Sequence, residues 1–278
     1  MIAIAGGLGA ALAWAATTLC STRASRTIGP SSTLAWVMLV GLVPAIPAVL
    51  IAGGDVPSGG VLGWLAASGF GNVLGLLFVY VGVRRGKIGV VAPIASTEGA
   101  VAAVIAVTLG EHLAPGVAVA LGVVIVGVVF AAAARGTEGR TSTAALAFAC
   151  GAALAFGVSI YATGRVSQEL SIAWALLPAR AVGTAFISIP LAVTQRLVLT
   201  RSAAPFVVAT GLAEVGGFAA YAVGARHGIA IAAVLGSQFA AIAALGALVL
   251  YRERLSRAQV AGIVVIAAGV AALSALRA

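Results

Sequence analysis

Apolar positions in this chain come in runs of about the length a membrane-crossing helix requires, roughly 20 residues. Charge, glycine and proline punctuate them. Ten runs fit that length: 2–21, 32–52, 60–82, 88–109, 114–134, 143–163, 172–194, 205–224, 229–250 and 257–276. The loops between them are short, and no segment is long enough for a soluble domain. The tightest junction is Glu111-His112-Leu113-Ala114-Pro115; the apolar stretch around it is too long for one span. The pattern predicts an all-α, polytopic membrane protein with ten transmembrane helices.

Composition sharpens this. Of 278 residues, 62% are hydrophobic and 8% charged, where soluble domains carry about 25% charged residues. The mean hydropathy is +1.17, and a soluble fold could not hide so much apolar surface. The 36 glycines suit close helix approach in lipid. A net charge of +9 could suggest nucleic acid, but the arginines sit in ones to threes between apolar blocks, without a basic stripe. They read as topology signals. Cys20 and Cys150 lack ligand spacing, so neither a metal site nor a disulfide framework is expected. No cofactor motif is present. Met1 leads straight into an apolar helix with no basic n-region, and Thr17-Thr18-Leu19 before Cys20 is a poor lipobox. A cleaved signal or lipid anchor is therefore not expected.

The chain repeats itself at a constant, gap-free offset of 142 residues. Gly9-Ala10-Ala11-Leu12-Ala13-Trp14 matches Gly151-Ala152-Ala153-Leu154-Ala155-Phe156. Arg23 and Ser25 match Arg165 and Ser167. Val81-Gly82-x-Arg84-x-Gly86 matches Val223-Gly224-x-Arg226-x-Gly228, Glu111-x-Leu113 matches Glu253-x-Leu255, and Gly127-Val128 matches Gly269-Val270. The repeats span 1–136 and 143–278, five helices each. An odd number makes the second copy enter the membrane in the opposite sense, the inverted arrangement that alternating access uses.

With its junctions Leu109-Gly110-Glu111-His112-Leu113 and Leu250-Tyr251-Arg252-Glu253-Arg254-Leu255, the whole chain resembles the EamA-type family of the drug/metabolite transporter superfamily. Gly-spaced apolar helices follow both junctions (Gly122, Gly127; Gly262, Gly269), and Ala92-Pro93-Ile94 opens the fourth helix. The resemblance implies ten helices, a central cavity between the halves, and export or exchange of amino acids, metabolites or drugs. The smallest relatives use a membrane glutamate in helix 1. Here that helix offers Trp14 and no acid, so that mechanism does not carry over.

Three ionisable residues fall near the middle of spans: Glu98, Arg180 and Glu214. Each costs about 2.5–3.5 kcal/mol at a helix centre on the insertion scale unless it faces a wet cavity or a partner. Arg180 does not deprotonate and needs an anion. Glu98 and Glu214 are the acids at its depth, which leaves one carboxylate to bind a proton or a cationic group. The alternatives are a structural ion pair or direct participation in transport. Trp14, Asn72, Ser96 and Gln238 complete the candidate substrate-binding or coupling set; Ser96 and Gln238 are repeat mates, as are Asn72 and Glu214. Tyr80, Trp174 and Tyr221 fit either interfacial belts or cavity walls. Pro93, Pro178 and Pro190 interrupt helices 4 and 7, by a break or a plain kink. Glu111 and Glu253 are expected to cap the helices that follow them.

The chain therefore reads as a secondary transporter of a small metabolite in the plasma or inner membrane, exporting an amino acid or amphiphilic compound, with protons as the candidate coupling ion. Its expected partners are a small solute and the bilayer, and a homodimer is left open. A channel or accessory subunit is the alternative. An enzyme is disfavoured by the absence of HExxH, GxSxG and clustered ligands, and ATP by the absence of a P-loop. Orientation is contested. Loops after helices 1, 3, 5, 7 and 9 hold Arg23, Arg26, Arg84, Arg85, Lys87, Arg135, Arg140, Arg196, Arg201, Arg252, Arg254 and Arg257, against Arg165, Arg226 and Arg277 on the other face. The positive-inside rule puts both termini outside, whereas the resemblance implies cytoplasmic termini.

Overall fold

The computed structural model describes residues 1–53, 57, 59–85, 91, 94–132, 142–251 and 257–277. The helices are α1 (Ile2–Ile28), α2 (Pro30–Ala52), α3 (Gly59–Arg85), α4 (Glu98–Thr108), α5 (Pro115–Ala132), α6 (Thr143–Glu169), α7 (Ile172–Val193), α8 (Ala204–Ala225), α9 (Ile229–Gly236), α10 (Phe239–Tyr251) and α11 (Arg257–Arg277). No strand occurs among the described residues.

Six of these helices, α1, α2, α3, α6, α7 and α8, are long and apolar enough to cross a membrane. Four shorter apolar helices, Glu98–Thr108, Pro115–Phe130, Ile229–Ala243 and Val260–Leu273, lie at the other four expected spans. The surface is inverted relative to a soluble protein. Leu50 (76% exposed), Ile51 (85%) and Val193 (75%) face outward, while Arg180 is fully buried. Such a distribution is stable only when the surrounding solvent is hydrocarbon.

The packing is carried by glycines and hydroxyls, because lipid supplies no hydrophobic drive between helices. The helix pairs are α3 with α6, α1 with α8, α5 with α11, α2 with α7, and α4 with α9. Close approaches recur at the 142-residue offset. A Cβ on Gly75 would lie 2.5 Å from the Phe156 ring, and one on Gly217 would lie 2.5 Å from Trp14. Gly69 meets Val182 as Gly211 meets Val40, and Gly127 meets Ile266 as Gly269 meets Val124. Between α3 and α6, the Ser159 hydroxyl donates to the Ser68 carbonyl, and the Ser68 and Thr163 hydroxyls pair, each at 2.6 Å.

Two spans are interrupted by turns that lie within one residue of repeat-equivalent positions. Residues 94 and 95 are helical, Ser96 and Thr97 form a turn, and α4 starts at Glu98. In the second half, α9 ends at Gly236, Ser237 and Gln238 turn, and α10 starts at Phe239. Pro93 lies outside the described residues, as does Glu253. The helix runs on through Pro178 and then carries a π turn at Thr184–Ser188. Proline has no N–H to complete the ladder, and the turn ends two residues before Pro190. Helix 7 is therefore wound differently there rather than broken.

Glu111 departs from expectation. It does not cap α5; its carboxylate accepts hydrogen bonds from the Ile229 and Ala230 amides at the start of α9. The reason is local. Gly110 takes φ +104°, Gly110 N–H bonds Val107 C=O, and Glu111 N–H bonds Ala106 C=O. This is a Schellman ending, and it turns Glu111 away from its own chain direction and toward the opposite half.

Candidate functional site

A cavity of about 170 Å³ lies between the halves. Its walls come from five repeat-mated pairs: Trp14 with Phe156, Thr17 with Ser159, Thr18 with Ile160, Asn72 with Glu214, and Leu76 with Phe218. Glu98 and Phe239 complete the lining. They break the pairing, because the mate of Glu98 is Ala240 and that of Phe239 is Thr97. Both sit in the first turns of α4 and α10, immediately after the two helix breaks. A half-helix N-terminus inside a membrane protein presents free amides and a positive dipole end to whatever occupies the midplane.

Four of the seven candidate residues line this cavity: Trp14, Asn72, Glu98 and Glu214. Glu98 is 7% exposed, and among the described residues no ion pair reaches it. Glu214 pairs with Arg180, Nη2 to Oε1 at 3.7 Å, beyond hydrogen-bond length. Arg180 stands behind this wall and is not part of it. Its guanidinium lies 5.1 Å from the Phe218 ring centroid and its Nη1 lies 3.6 Å from Met38 Sδ. Met38 lies 142 residues from Arg180, so two positions matched by the sequence offset touch here. Gly41 makes the room: a Cβ there would lie 2.8 Å from Arg180 Cδ.

Ser96 and Gln238 are buried and sit in the two breaks rather than on the cavity lining. Trp14 is wedged against Gly217 and Gly236, with Phe218 edge-on at 5.4 Å and Phe239 edge-on at 6.5 Å. Its indole N–H, the Asn72 carbonyl oxygen and the Gln238 amide nitrogen are buried without a hydrogen-bond partner among the described residues. Buried polar atoms normally find partners, so the first two offer a donor and an acceptor beside the cavity. Tyr221 is fully buried and bonds the Ile160 carbonyl; it is an internal strut, neither a belt residue nor a wall. The Tyr80 side chain lies outside the described set.

Sequence reasoning missed Thr17, Thr18, Leu76, Phe156, Ser159, Ile160, Phe218 and Phe239. Seven of them had a usable signal. Adding or subtracting 142 at Trp14 gives Phe156, and the flanking helical turns give Thr17 with Ser159 and Thr18 with Ile160. A turn beyond Asn72 and Glu214 are Leu76 and Phe218.

One protein of known crystal structure, 20% identical, superposes with a TM-score of 0.81 over 99% of this chain and 96% of that chain. It shows the fold alone. No curated protein matches the chain. The family model of the EamA-like transporter family matches residues 1–133, a segment that includes the cavity residues Trp14, Asn72 and Glu98. That family is one of transporters, not enzymes; residues 1–133 of this chain are similar to it, and the long apolar helices are those of a multi-pass membrane protein.

Proposed function

We propose that the chain is a secondary exporter of a small metabolite, an amino acid or amphiphilic compound, working by alternating access between inverted halves 1–136 and 143–278 in the plasma or inner membrane. The observation that carries this is the cavity: five repeat-mated pairs of wall residues enclose one carboxylate, Glu98, that has no ion-pair partner among the described residues. A symmetric frame gives two equivalent ways of exposing a central site. The unmatched acid gives that site something to exchange, either a proton or a cationic group of the solute.

The dimensions fit a small solute. At about 170 Å³ the space falls below the ~300–1,000 Å³ of drug-sized sites. Aromatic walls (Trp14, Phe156, Phe218, Phe239) suit an apolar body, and an ammonium group over such rings is favoured further by cation–π attraction. Glu214 is engaged with Arg180, which leaves Glu98 as the coupling residue. Purified protein in proteoliposomes is expected to show saturable flux that rises when a pH gradient is imposed. A metabolite-release profile of overexpressing cells supplies the solute to test. Non-saturating flux would indicate a channel, and flux indifferent to the gradient would remove proton coupling.

A further inference from the structure

The face that carries Met1 is closed by bonds running between helices. Arg226 at the end of α8 donates to the carbonyls of Ser167 (2.5 Å) and Leu170 (2.6 Å) at the end of α6. Gln168 returns a bond to the Ala225 carbonyl at 3.1 Å. Glu111 reaches over from the first half to the amides of Ile229 (3.0 Å) and Ala230 (3.2 Å). These groups surround a polar hollow of about 460 Å³.

The Glu111 bond differs from the others in what it holds. All eight residues of α9, Ile229–Gly236, are buried, so α9 is an apolar peg filling the space between this face and the central cavity. Its outer end has no side-chain cap of its own; Gly228, at φ +146°, turns the chain so that the first amides point at Glu111. Its inner end meets the cavity, where a Cβ on Gly236 would lie 3.1 Å from Trp14. One carboxylate from one half therefore grips the outer end of a rod whose inner end touches the cavity wall. The nearby cations do not compete for it: Arg165 pairs with Glu169, and Arg226 is bound to carbonyls.

We propose that Glu111 is a latch that holds α9 in place and so keeps the cavity shut toward the face bearing the N-terminus; its release is a step of opening toward that face. This rests on the alternating-access reading. A carboxylate serving two backbone amides makes charge-assisted bonds, stronger than neutral ones. Removing it leaves the amides of a buried helix end unsatisfied in the closed state, whereas water satisfies them in the open one.

The test uses the full chain with Cys20→Ala and Cys150→Ala, carrying single reporter cysteines. Ala225→Cys is buried under the closed face, and Thr18→Cys lines the cavity on the other side of the peg. With a membrane-impermeant maleimide, Glu111→Ala is expected to raise labelling at position 225 roughly tenfold or more, the scale of a lost charged hydrogen bond, and to lower labelling at position 18. Glu111→Gln, which keeps one acceptor oxygen, is expected to fall between. Opposite changes at the two reporters mean a shifted equilibrium. Increases at both would mean a loosened fold and would overturn the latch, as would no change at either. Absence of saturable flux from wild-type vesicles would overturn the carrier reading itself, and it is scored separately from labelling.

Discussion

At the scale of single residues, Glu98 and Arg180 differ in their surroundings. Glu98 faces the cavity without an ion-pair partner among the described residues, so replacing it removes charge without stranding one. Glu98→Gln is expected to reach the membrane at the normal level and to lose coupled flux; wild-type flux in that variant would reduce Glu98 to scaffold. Arg180 is the opposite case. It is fully buried and its ion pair is with Glu214. Arg180→Ala leaves that carboxylate unpaired at depth, a loss of about 3–5 kcal/mol, and thermal unfolding of the detergent-solubilised protein is expected to show a clearly lower Tm. The repeat supplies a remedy, since the mates of Arg180 and Glu214 are Met38 and Asn72. Replacing the pair together, as Arg180→Met with Glu214→Asn, removes both charges and is expected to recover most of the Tm. Failure to recover would mean that the pair does more than neutralise itself.

At the scale of helices, neighbouring glycines provide a matched comparison. A Cβ on Gly217 would lie 2.5 Å from Trp14 Nε1, whereas one on Gly216 meets nothing within 4 Å. Gly217→Ala is expected to cost about 1–3 kcal/mol through overpacking and to shift Trp14 fluorescence. Gly216→Ala is expected to be neutral or slightly stabilising, since alanine is the better helix former. Equal effects would mean that Trp14 moves aside freely. The same helices explain what was legible in the sequence. The spans were readable because lipid demands long apolar runs, and the repeat because glycines at close approaches accept no substitute. The cavity acids were readable because charge at membrane depth is rare. Of the two breaks, the interruption expected at Pro93 only approximates the turn at Ser96-Thr97, and no proline marks Ser237-Gln238 within its apolar run. The Glu111 contact was missed for a different reason. Its partners lie 118 and 119 residues away, and only the Schellman turn at Gly110 aims it there.

At the scale of the molecule, the open matter is which face is cytoplasmic. Helix ends sort the arginines: Arg23 and Arg26 close α1, Arg85 closes α3, and Arg257 opens α11, all on one face. Arg165, Arg226 and Arg277 close α6, α8 and α11 on the other. The arginines of the second face near the latch are consumed structurally, Arg165 by Glu169 and Arg226 by two carbonyls. On the first face Arg85 stacks over Phe148 at 4.9 Å, a contact that leaves its charge intact. The bias is twelve basic residues to three by sequence. Short loops are where the positive-inside rule acts most strongly, so the Arg-rich face is expected in the cytoplasm and both termini outside, against the orientation implied by family resemblance. In that orientation the Glu111 latch closes the outer face, and Cys20 and Cys150 sit toward the reducing side, in keeping with their free thiols. Alkaline phosphatase fused after Ala278 is expected to be active. Fluorescence from a cytoplasm-only GFP at the same position would reverse the assignment, and with it the side on which the latch closes.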